Sequence, residues 1–278
     1  MSYKIIGDSC LDLTDEMKKD PRFQMIPLTL QVDETQVIDD ETFNQKRFLE
    51  LVKASPNCPK TACPSPEMFK EAYECQEEDV YVITLSSHLS GTYNSAVLGK
   101  ELYEEEHGSK NIKVIDSWSA SAGELNIGLY IKGLCESGMD FDQVCEKAES
   151  FKKEMKTYFV LESLDVLRKN GRLTGLQAFF ATALNIKPVM GAIEGVIIKE
   201  DQARGINKAL AKMCDYAEKN IKDPKEKTAV VAHCNNRERA EFVKEELLKR
   251  VPFKDVVITE TAGVATVYAS DGGVILAC

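Results

Sequence analysis

The chain has 278 residues, 44% of them hydrophobic and 29% charged, an ordinary globular composition with length enough for two domains. A net charge of −10 and a pI near 5.0, without any basic cluster, exclude nucleic acid and anionic membrane surfaces as expected partners. No apolar run reaches the roughly 18 residues of a membrane span, and the nine cysteines are odd in number, scattered and without a C-x-x-C pair, so neither a disulfide framework nor a zinc site is expected.

Met1-Ser2-Tyr3-Lys4 leads into a strand rather than a signal peptide, which with reduced thiols predicts a cytoplasmic protein. That first strand, Tyr3-Lys4-Ile5-Ile6, ends in the polar loop Gly7-Asp8-Ser9-Cys10. A second apolar stretch covers 25–30. Residues 42–54, with Phe43, Phe48, Leu51 and Val52 at three- and four-residue spacing, predict a helix starting near Asp40 or Thr42. Between Lys60 and Glu67 two prolines hold the backbone extended ahead of a helix beginning near Ser65, which places Thr61 in a stiff, exposed loop. As a turn residue, Thr61 could do no more than satisfy its own backbone.

The stretch 79–107 organises the chain. Val80-Tyr81-Val82-Ile83-Thr84-Leu85 is an unbroken β-favouring run of the kind buried on both faces in a parallel sheet. Tyr93, Ala96 and Val97 then repeat at helical spacing. Between them lies Ser86-Ser87-His88-Leu89-Ser90-Gly91-Thr92, a hydroxyl-rich loop where a helix has free N–H groups and the positive end of its dipole. With no lysine or arginine in it, the loop suits a carboxylate or a single phosphate oxygen better than a triphosphate. The plainer alternative is a capped helix with Ser90 or Thr92 as N-cap and nothing bound.

Ile112-Lys113-Val114-Ile115 is another strand, followed by the serine-rich loop Asp116-Ser117-Trp118-Ser119-Ala120-Ser121-Ala122-Gly123. Three such loops at strand ends point to ligand binding, because open α/β sheets bind outside the carboxyl ends of their strands. Helices over 121–136 and 140–155 complete a first domain. In the second half, the apolar run 158–161 precedes a helix with a basic last turn that stops at Gly171, beside Arg172. Apolar positions follow at Leu176, Phe179, Phe180, Ala183 and Leu184, then strands over 186–190 and 196–198, Arg204 ahead of a helix over 206–221, and a strand over 228–232 closed by His233.

The three histidines, His88, His107 and His233, lie on distant elements and lack metal-ligand spacing, so no metal is expected. A serine hydrolase would need Ser86, Ser87 or Ser90 activated by histidine. His88 is too near Ser90 in sequence to face it as a base, and no Gly-x-Ser-x-Gly elbow exists. Neither a Walker-type phosphate loop nor Gly-x-Gly-x-x-Gly appears, which counts against a nucleotide-using enzyme. A carrier or sensor of a small carboxylate remains open on the residues alone.

Thr61-x-x-Pro64-Ser65-Pro66, Ser86-Ser87-x-Leu89-Ser90-Gly91-Thr92-Tyr93, Ile115-Asp116-Ser117, Gly171-Arg172-Leu173 and Ile186-Lys187-Pro188, in that order along nearly the whole chain, resemble the DegV family. The resemblance implies an α/β fold. An N-terminal domain, 1–157, has a largely parallel sheet flanked by helices and carries the carboxylate loops; a C-terminal α+β domain, 158–278, houses much of an acyl tunnel. It implies a non-catalytic protein that binds one long-chain fatty acid, needs no cofactor, and presents the carboxylate to a separate ATP-dependent fatty-acid kinase subunit. Carried over by motif, Thr61, Ser90, Gly91 and Thr92 bind the carboxylate, while Ser86, His88, Ser119 and Arg204 are candidate secondary ligand contacts. Arg172 matches a loop implicated in docking the kinase. The chain departs from the family at its end: where a histidine and Gly-Pro-Gly are common it has Tyr268-Ala269-Ser270-Asp271-Gly272-Gly273, with Ala269 near the histidine position.

Overall fold

The computed structural model describes residues 2–173 and 185–278, so the apolar positions at Leu176, Phe179, Phe180, Ala183 and Leu184 lie outside the described residues. The first sheet is wholly parallel, in the order β2 (Phe23–Ile26), β1 (Tyr3–Asp8), β6 (Asp79–Thr84), β7 (Asn111–Asp116). Its central strands are buried on both faces, as an unbroken β-branched and aromatic run requires. On one face Phe69 and Tyr73 of α2 (Pro66–Tyr73) and Ala96 of α3 (Thr92–His107) pack on Val80 and Val82. On the other face, α4 (Ala122–Glu136) and α5 (Phe141–Glu154) cover Ile5, Tyr81 and Ile83.

A second, mixed sheet has the order β10 (Val196–Arg204), β9 (Ile186–Ile193), β8 (Thr157–Val160), β13 (Val274–Ala277), β11 (Thr228–His233), β12 (Asp255–Glu260). Only β11 and β12 run parallel. Helices α7 (Ile206–Asn220) and α8 (Arg237–Arg250) cover its outer face through Leu210, Met213, Val243 and Leu247. Its inner face, with Phe159, Val230 and Ile275, shares a core with Leu125, Ile127 and Ile131 of α4. Lying between two sheets, α4 is buried from Ala122 to Gly128 without interruption, which explains why its sequence lacks a polar stripe.

The third sheet, β4 (Thr35–Ile38), β3 (Thr29–Val32), β5 (Lys60–Ala62), corrects the expectation for Thr61. Thr61 is not in a free loop; it is in register with Leu30 on an antiparallel strand. Phe48 of α1 (Gln45–Ala54) packs over this sheet with Val264 and Val267 of α9 (Gly263–Ala269). Helix α1 begins later than expected because the Asp40 carboxylate takes the Thr42 amide and hydroxyl in a local turn, leaving Asn44 to cap the Arg47 amide. The remaining short helix, α6 (Asp165–Lys169), ends as expected at Gly171, whose φ of +75° is left-handed.

Candidate functional site

The carboxyl ends of the first sheet, the inner face of the second and helix α9 enclose a cavity of about 810 Å³, its mouth included. Its walls are mainly apolar, with Leu85, Leu89, Phe159, Leu161, Ile197 and Ile275 among them. Polar side chains are few and placed in pairs. Thr61 Oγ1 lies 3.0 Å from the Tyr268 hydroxyl, and Ser90 Oγ lies 2.8 Å from Thr92 Oγ1.

Each pair has two hydroxyl hydrogens and one mutual hydrogen bond. One hydrogen per pair is therefore left without an acceptor among the described residues. Around Ser90 the backbone is built for the same purpose. Gly91 caps α3, Ser90 Oγ accepts the Thr92 amide at 3.3 Å, and the Gly91 amide has no acceptor among the described residues. The N-cap is therefore Gly91 rather than the expected Ser90 or Thr92, and the Ser90 oxygen accepts an amide of the first turn while the Ser90–Thr92 pair keeps one hydrogen to donate.

Arg172 is placed in the cavity wall. Its Nε donates to the Leu89 carbonyl at 3.1 Å, and its guanidinium carbon is 5.9 Å from the centre of the Tyr268 ring. It brings the positive charge that the Ser90 loop lacks to the same end of the cavity. His88 and Arg172 also border a smaller recess beside the mouth, formed with Gly195 and Val196 of the β9–β10 turn. Ser86 is fully buried; its hydroxyl donates to the Gly195 carbonyl at 3.4 Å and accepts the His88 amide, so it ties that turn to the loop rather than lining the cavity. Ser119 lines the cavity, with its hydroxyl on Thr157 at 2.7 Å. Arg204 is exposed at the end of β10 and is not part of the cavity wall.

Tyr268 is the site residue that sequence reasoning missed. The signal was present in the departure from the family's terminal histidine motif, but only α9 packing against β3 and β5 brings its hydroxyl to Thr61. Ala269, near the histidine position, is buried and lines the same cavity.

Among the described residues no nucleophile is paired with a base in the cavity. Ser90 Oγ is bonded to Thr92 rather than to an imidazole, and burial together with the nearby Glu124, Asp12 and Asp8 carboxyls pushes the Cys10 thiol in the cavity wall well above its ordinary range. His233 Nδ1 accepts the Asn236 amide at 3.3 Å, a satisfied turn residue whose pKa is lowered by burial and by Arg237. Among the described residues no group of three or more metal-ligating side chains converges, and no helix is long and apolar enough to cross a membrane.

A family model described as "Uncharacterised protein, DegV family" matches residues 2–277. A DegV domain-containing protein of Streptococcus gordonii is 31% identical over 99% of this chain and 98% of its own length. A solved DegV family structure from Ruminococcus gnavus, refined with vaccenic acid, is 48% identical and superposes with a TM-score of 0.98 over 100% of both chains. The Streptococcus pneumoniae fatty acid kinase B3 protein, loaded with linoleic acid, is 31% identical with a TM-score of 0.91, covering 100% of this chain and 99% of that one. Sequence and fold agree along the whole length, and the chain belongs to the DegV family.

Proposed function

We propose that this protein binds one long-chain fatty acid and presents its carboxylate to a separate fatty-acid kinase subunit, without catalysing a reaction itself. The observation that carries the reading is an apolar cavity with Thr61, Tyr268 and Ser90 in its wall, Thr61 paired with Tyr268 and Ser90 with the buried Thr92 behind it, each pair with one hydrogen left to donate. A carboxylate accepts both, with Gly91 adding a backbone amide and Arg172 a nearby charge. The chain divides near Thr157, the N-terminal part supplying Thr61 and the Ser90 loop, the C-terminal part supplying Tyr268, Arg172 and the wall formed by β8 and β13. The kinase partner rests on the likeness to the fatty acid kinase B3 protein. A cytoplasmic location is supported by nine cysteines without paired spacing.

Magnitudes assign the roles. Each buried methylene contributes about 0.8 kcal/mol, so a tail with ~14 of them offers a gross ~11 kcal/mol before ordering costs. A hydrogen bond to a charged group adds about 1.5–3 kcal/mol. The tail therefore sets affinity and the hydroxyl pairs set which end lies at the mouth. Denaturing the purified protein, extracting it with organic solvent and weighing what co-purifies by mass spectrometry tests this. A long-chain acid in one-to-one ratio is expected; a short polar acid at that ratio would contradict it.

A further inference from the structure

The cavity wall holds a third hydroxyl pair, Ser119 and Thr157, that the carboxylate end does not use. Their oxygens are 2.7 Å apart, and both residues are buried, at 4% and 9% exposure. As with the other two pairs, one mutual bond leaves one hydrogen without an acceptor among the described residues. Because both residues are buried in a mainly apolar wall, an unused donor is costly unless something bound in the cavity takes it.

The backbone of Ser119 is held in place. Its amide donates to Ser117 Oγ at 3.0 Å, its carbonyl accepts the Ser86 amide at 2.9 Å, and the loop around it holds Trp118 and Ser121 at φ of +54° and +56°. Its hydroxyl also fills the place a side chain at Gly123 would take: a Cβ there would come within 1.9 Å of Ser119 Oγ. Thr157 opens β8, and the alternate residues Thr157, Phe159 and Leu161 all line the cavity. The pair is thus about 13 Å along the strand direction from Leu161. Leu161 belongs to the other end, where its side chain and Ala269, the neighbour of Tyr268, both crowd Gly273. Ser121, also in the wall, donates its one hydroxyl hydrogen to Asp12 and so remains an acceptor.

We propose that Ser119 and Thr157, with Ser121, form a second polar subsite that recognises a hydroxyl group partway along the acyl chain, extending the ligand class to hydroxylated long-chain acids. The proposal rests on the fatty-acid reading above. A secondary alcohol accepts the spare hydrogen of the pair and donates its own to Ser121, a match that a bare methylene does not offer.

The test is displacement of a fluorescent fatty acid from delipidated protein by stearic acid and by hydroxystearic acids carrying the hydroxyl at successive positions. In the wild-type chain one or two adjacent mid-chain isomers are expected to compete about tenfold better than stearic acid, the equivalent of one hydrogen bond. In the S119A/T157V double variant, the ratio between that isomer and stearic acid should fall to one or below. A flat positional series in the wild type overturns the subsite and needs no variant to fold; so does a mid-chain advantage that survives in a folded double variant. If stearic acid itself fails to bind the wild type, the fatty-acid reading falls, an outcome distinct from loss of positional preference alone.

Discussion

The starts of α9 and α3 both set side-chain oxygens against backbone amides, and they differ in what is left over. At α9, the Asp39 carboxylate accepts the Gly263 and Val264 amides at 2.6 and 2.8 Å, and Asp12 accepts the Ala262 amide at 2.6 Å and the Ser121 hydroxyl. The protein supplies its own carboxyl acceptors there. At α3 the oxygens are hydroxyls, Ser90 and Thr92, bonded to one another with a hydrogen to spare. The first arrangement is a closed clasp that positions Tyr268 and the cavity wall. The second is made of neutral hydroxyls, so the contrast is between a helix start whose acceptors are carboxyl groups and one that keeps a donor hydrogen to spare.

The clasp is broken most severely by Asp39→Ala. It strands two buried amides, each at a cost of about 1–3 kcal/mol, so the unfolding free energy in chemical denaturation should fall by about 3 kcal/mol. An unchanged denaturation midpoint would show that α9 does not depend on Asp39.

The clasp also has a pH signature. Burial pushes Asp39 and Asp8 up to about 6 and Asp12 up to about 8, and it pushes Glu124, whose oxygens have no partner among the described residues, well above the ordinary range. A carboxyl whose folded pKa lies above its unfolded value contributes stability that is complete below the unfolded value and lost as pH rises through the folded one. Thermal melting should therefore shift down by several degrees as pH rises from the ordinary carboxylate range, 3.8, to about 8. Carboxylates with lowered values, such as Asp20 and Glu106, act in the opposite direction only at lower pH. In Asp12→Asn the upper part of the decline should disappear. A melting temperature that climbs steadily over this window would refute the assignment.

The receptor is sharpened by smaller changes. Ser90→Ala removes one donor and should weaken fatty-acid binding about tenfold while the melting temperature of the unliganded protein stays within a degree or two. Loss of stability with unchanged affinity would make Ser90 a cap and nothing more. Arg172→Gln should weaken binding of stearic acid a few-fold and leave stearyl alcohol unaffected, since the charge acts only on the carboxylate. Equal losses for acid and alcohol would mean that Arg172 acts through packing.

The strand, hydroxyl loop and helix around Ser90 were legible in the sequence because each signal is local: a β-branched run, a glycine among hydroxyls, a helical repeat. The same holds for the cap at Asp140, where a capping box with Gln143 starts α5. Thr61 was recognised by its motif but given the wrong backbone, because β5 exists only through pairing with β3, some thirty residues earlier. Tyr268 and the Asp12 and Asp39 clasp were illegible, since they depend on the last helix returning to the first loops. In sequence Arg172 has only a resemblance to a loop that docks the kinase, while its position over Tyr268 in the cavity wall depends on the tertiary fold.

The most direct test is a crystal structure of the protein saturated with stearic acid. The carboxyl oxygens should lie about 2.7–3.2 Å from Ser90 Oγ and Thr61 Oγ1, with the chain running past Phe159 toward Thr157. Density placing the carboxyl group away from both hydroxyl pairs, or the chain outside the cavity, would contradict the account.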